Sequence, residues 1–101
     1  MLGPMLAPID EATEQFLDTA AKDLQRQINI AGVVERVSVM GEDGNVWLVA
    51  KLVIGRRTLE VTGFGRSLVD AYAELRVRVA EPTLIAAYLE LVDYLEPVGP
   101  G

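Results

Sequence analysis

The sequence predicts an α+β domain in which a three-stranded antiparallel meander carries two helices on one face and is followed by an extra C-terminal helix. Three patterns indicate this order: an apolar stripe with helical spacing, a valine-rich alternation with two glycine-containing turns, and two further helical patterns divided by a proline. A chain of 101 residues accommodates one such domain and not two. We therefore expect a tail over residues 1–9, a single domain over residues 10–96 and a tail over residues 97–101.

The first helix is predicted from about Asp10 to Asn29, because apolar residues recur there at spacings of three and four. Asp10 is a suitable N-cap, and the acidic Glu11 and Glu14 suit the positive end of the helix dipole. Gly32 is the expected stop at the C-terminal end. The apolar stripe comprises Phe16, Leu17, Ala20, Ala21, Leu24 and Ile28.

Three strands are predicted over Val33–Met40, Val46–Ile54 and Arg57–Thr62. Asp43-Gly44 and Gly55-Arg56 each provide a two-residue hairpin turn, and such a turn determines the register of the strands that it joins. Both turns independently place aliphatic residues on one common face, which predicts a core layer there. The expected cross-strand pairs are Val37 with Ala50, Val39 with Leu48, Leu52 with Leu59, and Ala50 with Val61. On the opposite face Lys51 stands across from Glu60.

Two helices follow the sheet. Ser67 is a predicted N-cap, with Asp70 three residues later as in a capping box. Pro82 ends this helix because it pushes the preceding Glu81 away from helical angles, and it starts the last helix at its first position. The last helix is expected to run from about Pro82 to Leu95. Its polar stripe is narrow and consists of Thr83, Ala87, Glu90 and Asp93.

Composition excludes several kinds of chemistry. The chain has 9 basic and 15 acidic residues, a formal net charge of −6, and neither histidine nor cysteine. Disulfides, cysteine nucleophiles, histidine-based triads and thiolate or imidazole metal sites are therefore impossible within it. We expect no enzymatic activity, no cofactor and no bound metal. The sequence contains no run of about 18 apolar residues, so no membrane-spanning helix is predicted. Its first residues include two prolines and neither lysine nor arginine, which does not fit a signal peptide. These features favour a cytoplasmic protein.

Three weaker patterns have more ordinary explanations. Gly63-Phe64-Gly65 resembles half of a nucleotide-binding loop, but Leu68 occupies the place of the third glycine. The segment 42–45 offers oxygen ligands for a cation, but Val53 occupies the place of the glutamate that ends an EF-hand loop. A serine–lysine pair is the one nucleophilic arrangement left to a chain without histidine. Tight turns and solvated side chains account for these residues more simply.

The segment between the third strand and the next helix carries a resemblance to a known family. The sequence from Gly63 to Tyr72 resembles the Gly-x-Gly-x-Ser-Lys-Lys-x-Ala-Lys segment of double-stranded RNA-binding domains at Gly63, Gly65, Ser67 and Ala71. The predicted order of one helix, three antiparallel strands and one helix is also that of this family. The resemblance covers roughly residues 10–80 and implies the family's fold.

The residues that bind RNA in that family are missing. Its lysines at the start of the last helix bridge phosphates, whereas Leu68, Val69 and Tyr72 occupy those positions here. Its first hairpin loop usually carries a histidine, whereas the segment 42–45 carries two negative charges. Because affinity for duplexes depends on neutralising phosphates, a chain with a net charge of −6 should repel them. The resemblance therefore argues against nucleic-acid binding while supporting the fold.

One basic cluster remains as a candidate for binding an anion or a nucleic acid. It consists of Arg56, Arg57 and Arg66, and Arg66 precedes a predicted helix N-terminus. A derived nucleic-acid-binding surface around these residues is one functional alternative. Solvated turn arginines are the simpler interpretation.

The last helix provides the strongest functional signal, because its wide apolar surface must be buried somewhere. It either folds back over the second, semi-apolar face of the sheet or packs against another chain, and we favour association. The chain is thus predicted to be a protein-interaction module, either a homo-oligomer or a subunit of a larger assembly. A further alternative is an acidic inhibitor of a nucleic-acid enzyme, as in some phage-type proteins. The predicted interface comprises Tyr72, Leu84, Tyr88, Leu91, Val92, Tyr94 and Leu95.

Overall fold

The computed structural model describes residues 10–42 and 44–95 and shows the predicted α+β class. The tails predicted over residues 1–9 and 97–101 lie outside the described residues, as does residue 96. The elements in chain order are α1 (Glu11–Ile28), a 3-10 turn (Asn29–Ala31), β1 (Val33–Glu42), β2 (Asn45–Ile54), β3 (Arg57–Gly65), α2 (Leu68–Arg78) and α3 (Ala80–Leu95).

Helix α1 begins and ends where it was predicted to, but a different residue stops it. The carboxylate of Asp10 accepts the backbone N–H of Thr13 at 2.7 Å, which confirms the N-cap. The stop is Asn29, whose φ of 53° lies in the left-handed region, so the expectation of a stop at Gly32 is wrong. Gly32 is extended instead. It is required to be small because a Cβ there would lie 2.5 Å from the side chain of Ile54.

The sheet has the order β1-β2-β3, and both predicted hairpin registers are confirmed. Each turn has two residues, with Gly44 and Gly55 at φ values of 77° and 62°. The third strand continues to Gly65 rather than ending at Thr62, because Phe64 pairs across the sheet with Trp47. The observed core pairs are Val37↔Ala50, Val39↔Leu48, Leu52↔Leu59 and Ala50↔Val61.

A bulge in β1 is the one feature of the sheet that the alternation did not predict. The register shifts between Val34 and Arg36, so Glu35 is an extra residue on this strand. Lys51 stands opposite Glu60 as expected. Its Nζ nevertheless forms an ion pair with Glu35 Oε1 at 3.4 Å, because the bulge turns that side chain toward it.

The core lies between one face of the sheet and the two helices α1 and α2, with α1 packed on β1 and α2 packed on β3. Close packing of α2 depends on the two glycines of the Gly-x-Gly segment. A Cβ at Gly63 would lie 2.5 Å from the backbone nitrogen of Leu75, and one at Gly65 would lie 2.6 Å from that of Ala71. This segment therefore has a packing role. The largest fully buried side chains are Leu24, Leu48, Leu52, Ile54, Leu75 and Val79.

Helices α2 and α3 are separated by a single residue. Ser67 caps α2 as predicted, since its Oγ accepts the N–H of Asp70 at 3.1 Å. The predicted start of the last helix at Pro82 is wrong, because α3 begins at Ala80. Pro82 falls within the first turn of α3, where its missing N–H removes no bond within the helix. Val79 alone separates the two helices, and its N–H donates to the carbonyl of Leu75 at 2.9 Å.

Candidate interaction surface

Helix α3 contacts the rest of the domain along one narrow line. Thr83 and Ala86 are its buried residues, and both lie next to the junction with α2. Glu90, two turns further along the same line, faces the turn between β2 and β3. Successive residues of a helix are rotated by about 100°, so the surface opposite this line faces away from the domain. It is uniformly apolar, and we call it the apolar arc: Leu84, Ile85, Tyr88, Leu89, Leu91, Val92 and Leu95.

The apolar arc is largely open to solvent. Leu84 exposes 70% of its surface, Tyr88 63% and Leu95 63%. Six of its large side chains together present on the order of 600 Å² of apolar area, at the upper end for the largest patch on a monomer. Beyond Pro82 no charged residue of the described helix lies on this surface. A patch of this size on a chain with a net charge of −6 makes this surface the candidate interaction surface.

The residues predicted as an interface do not all lie together. The apolar arc contains Leu84, Tyr88, Leu91, Val92 and Leu95, and it also contains Ile85 and Leu89, which the prediction omitted. Both omitted residues follow the helical spacing, so a full helical projection of this segment identifies them. Tyr94 is 83% exposed and lies one turn beyond Glu90, on the opposite side of the helix from the arc.

Tyr72 lies apart from α3 and is half-buried between α1 and α2. Its ring meets that of Phe16 edge to face at a centroid distance of 6.1 Å. Its hydroxyl donates to Asp23 Oδ2, which also accepts Arg76 Nε at 3.0 Å. The Tyr72 hydrogen bond is the main reason why the pKa of Asp23 is lowered, with Arg76 contributing further. Burial raises the pKa of Tyr72, with help from the Asp23 carboxylate. Neither Asp23 nor Tyr72 changes its protonation state near neutral pH, so this cluster has a structural role in joining α1 to α2.

Ion pairs at the β2–β3 turn hold the far end of α3. Arg57 Nη2 donates to Asp93 Oδ2 at 2.9 Å. Arg57 Nε lies 3.1 Å from Glu90 Oε2 without an aligned hydrogen bond, so this second pair is a charge contact. Arg56 approaches Asp93 at 3.9 Å. Two of the three candidate anion-binding arginines are thus neutralised by the acidic residues of α3.

The third candidate arginine is far from the other two. Arg66 is exposed just beyond the end of β3, whereas Arg57 begins that strand. Nine residues of extended chain separate them by about 30 Å. The fold therefore does not bring Arg56, Arg57 and Arg66 together into one basic patch.

The second face of the sheet is not covered by α3. Met40, Trp47 and Phe64 form a row across the three strands, and the Trp47 and Phe64 rings lie 4.4 Å apart between centroids. Met40 remains 56% exposed and Phe64 40% exposed. Of the two outcomes considered for the last helix, folding back over this face is the one that the described residues do not show.

No family model, curated protein or solved structure matched the chain in comparisons with known proteins. Within the described ranges, no group of three or more acidic residues is placed to hold a metal ion. None of the helices in that same part of the chain is long and apolar enough to cross a membrane. The apolar arc is therefore the feature with the clearest functional meaning.

Proposed function

We propose that the protein is a non-enzymatic interaction module that associates with a second copy of itself through the apolar arc of α3. One observation carries this proposal. An entire helix surface, from Leu84 to Leu95, is apolar, uncharged and exposed in the described chain. A standard interface buries about 800 Å² per partner, and the exposed area of the arc approaches that size.

The charge distribution favours a second copy as the partner. Two chains with a net charge of −6 repel each other, so they can meet only where neither presents charge. The apolar arc meets this condition, because Glu90 and Asp93 are turned toward Arg57. A strongly basic partner, by contrast, would find no acidic side chain on the arc with which to pair.

The position of Glu81 favours an antiparallel pair of helices. By helical geometry Glu81 projects on the same side as the arc, one turn before it. In a parallel dimer the two Glu81 carboxylates would face each other, whereas an antiparallel two-fold separates them by nearly the length of the helix. The dipoles of the two helices also oppose each other favourably in that arrangement.

Light scattering coupled to size exclusion tests self-association. The wild-type chain at high micromolar concentration should show twice its mass of 11.0 kDa. Leu91→Asp should be monomeric, because it places a charge on the buried surface. Val77→Asp is the matched control, since Val77 is a 75% exposed helical residue of α2 outside the arc, and it should leave the dimer intact. A monomeric wild type, or equal dissociation by both variants, would contradict the proposal.

The likeness to double-stranded RNA-binding domains is, in this proposal, one of architecture alone. The order of one helix, three antiparallel strands and helices is compatible with that family. At the family's RNA-binding positions, however, Leu68 and Val69 carry no charge, and Tyr72 is bonded to Asp23. Arg56 and Arg57 are occupied by acidic residues of α3. No observation on the described residues favours binding to a duplex or inhibition of a nucleic-acid enzyme.

A further inference from the structure

β3 is an edge strand of the sheet, and half of its backbone groups point outward, away from β2. Within residues 10–42 and 44–95 no strand lies beyond β3. The two-residue turn makes Ile54 and Arg57 a hydrogen-bonded pair, so alternate residues from Arg57 onward direct their N–H and C=O groups to β2. The residues between them direct these groups outward. They are Thr58, Glu60, Thr62 and Phe64.

The fold caps this edge at one end only. The N–H of Phe64 donates to Glu74 Oε1 of α2 at 2.6 Å, which confirms that this set of amides points outward. The amides of Thr58, Glu60 and Thr62 face an open groove instead. The usual protections of an edge strand are missing from this stretch, since it contains no proline, lysine or bulge.

The groove beside this edge has one wall of strand and one wall of helix. Its first lobe, about 730 Å³, runs along residues 58–62 and is closed by Val77, Arg78, Glu81 and Pro82. A second lobe of about 620 Å³ continues past Pro82 to Ile85 and Leu89. We call the two lobes together the edge groove. An extended chain laid along residues 58–62 would meet the outward amides of β3 on one side and a mixed helix wall of Val77, Arg78, Glu81 and Pro82 on the other.

We propose that the edge groove binds an extended segment of a partner protein, which adds to the sheet as an antiparallel fourth strand next to β3. Only an extended backbone matches a row of alternating N–H and C=O groups, and addition of a strand beside a helix is an established mode of peptide recognition. This proposal does not depend on self-association through α3. The first lobe lies outside the apolar arc, although Ile85 and Leu89 of the second lobe belong to both surfaces.

The charges that line the edge groove and the alternation of side chains along a strand determine which partner segment fits. The side chain of Glu60 is exposed on the open face of the sheet, and Glu81 lines the other wall of the groove. A basic residue opposite Glu60 makes a favourable cross-strand pair. Its neighbours along the strand point toward Val77 and Pro82 and are apolar. The partner segment is thus one in which basic and apolar residues alternate. A second copy of β3 fits poorly, because it would bring two Glu60 carboxylates together on one face.

A synthetic peptide of about seven residues that alternates valine and lysine is the probe. Amide hydrogen exchange of the full-length chain, followed by NMR, is the measurement. In the free protein Leu59 and Val61 should exchange slowly and Glu60 quickly. Addition of the peptide should protect Thr58, Glu60 and Thr62, and it should do so equally in Leu91→Asp. Protection of Thr58, Glu60 and Thr62 without peptide would mean that another copy fills the edge, and this would overturn the proposal.

Backbone N-methylation of the peptide separates strand addition from attraction between opposite charges. Methyl groups on the lysine amides, which face β3 in the antiparallel register, should weaken binding by at least about tenfold, because each one removes a backbone hydrogen bond to β3. Methyl groups on the valine amides point away from β3 and should change binding by less than about twofold. The two peptides carry identical charge. Equal binding of both, or shifts confined to the apolar arc, would refute the fourth strand.

A charge-reversal variant tests the predicted side-chain pairing. Glu60→Lys leaves the backbone of β3 intact and should weaken the valine–lysine peptide, while it should strengthen an analogue in which glutamate replaces lysine. Glu14→Lys, at an exposed position of α1, raises the net charge by the same amount and is the control; it should have little effect on either peptide. If Glu60→Lys left the peptide preference unchanged, the assignment of basic residues to the occupant would be wrong.

Discussion

Helices α2 and α3 follow one another with only Val79 between them, yet they relate to the sheet in opposite ways. α2 carries four charged residues, but Ala71 and Leu75 on its inner face are completely buried. α3 is the more apolar helix and buries only Thr83 and Ala86. Apolar composition therefore does not decide which helix enters the core.

How closely the helix backbone approaches the sheet decides which helix is buried. Gly63 and Gly65 let the backbone of α2 pack directly on β3, so small residues on the strand bring a moderately polar helix into the core. The inner contact of α3 is less complete, since the hydroxyl of Thr83 is buried without a hydrogen-bond partner among the described residues. α3 is held further along by Arg57. Its apolar arc is left exposed.

The largest expected effect comes from breaking the close packing of α2. Gly63→Ala adds a Cβ only 2.5 Å from the backbone nitrogen of Leu75, so α2 must move away from the sheet. We expect a loss of about 2–3 kcal/mol in the free energy of unfolding, measured by urea denaturation. Gly41→Ala is the matched control, because its nearest contact would be 3.8 Å away, and it should change stability by less than about 0.5 kcal/mol. Equal effects would show that α2 does not depend on this approach.

A smaller effect is expected from releasing the far end of α3. Arg57→Gln removes the partner of Glu90 and Asp93 and should cost about 1 kcal/mol, reduced by the partial exposure of these groups. Amide exchange in the second half of α3 should accelerate, while α2 stays protected. Arg66→Gln, an exposed arginine beyond the other end of β3, should alter neither quantity. If both variants behaved alike, the ion pairs would not be what positions α3.

The smallest expected effect is the pH dependence of stability that comes from the cluster of Asp23, Tyr72 and Arg76 between α1 and α2. The pKa of Asp23 is lower in the folded chain than the usual 3.8 of the unfolded one. Its stabilising contribution is therefore complete above pH 3.8 and is lost as the pH falls through the folded value. Asp23→Asn should make the acid-induced loss of stability shallower, by less than about 1 kcal/mol. Urea midpoints at pH 7, 5 and 3 measure this difference.

Tyr72→Phe provides the second arm of that experiment. It removes the hydrogen bond that contributes most to the lowered pKa of Asp23 while it keeps the ring against Phe16. The acid slope of this variant should fall between those of the wild type and Asp23→Asn. An unchanged slope in both variants would show that the cluster does not couple folding to protonation.

Local patterns were sufficient to predict most of the fold. Two-residue turns at Gly44 and Gly55 require particular backbone angles, and strand side chains alternate with a period of two, so both registers follow from short stretches of sequence. The caps at Asp10 and Ser67 are equally local. Departures occur where a distant contact intervenes. Gly32 packs closely against β2 and is extended, and α1 stops at Asn29 instead.

The candidate site was predicted less completely, for the same reason. Helical periodicity identified the apolar side of α3, because its residues lie within a few turns of one another. Tyr72 was assigned to the interface because it is aromatic. In the fold its hydroxyl bonds to Asp23, 49 residues away in sequence, on α1. Arg57 is likewise engaged by Asp93 across a separation of 36 residues.

The sequence by itself determined the element order, the two faces of the sheet and the apolar surface of the last helix, because these depend on backbone angles and on residue spacing along short segments. Only the tertiary structure decided which charged side chains form ion pairs, which helix is buried and which backbone amides of β3 face the edge groove. Those outcomes depend on side chains that meet only in the folded protein. Because these side chains are far apart in sequence, no local pattern predicts their contacts.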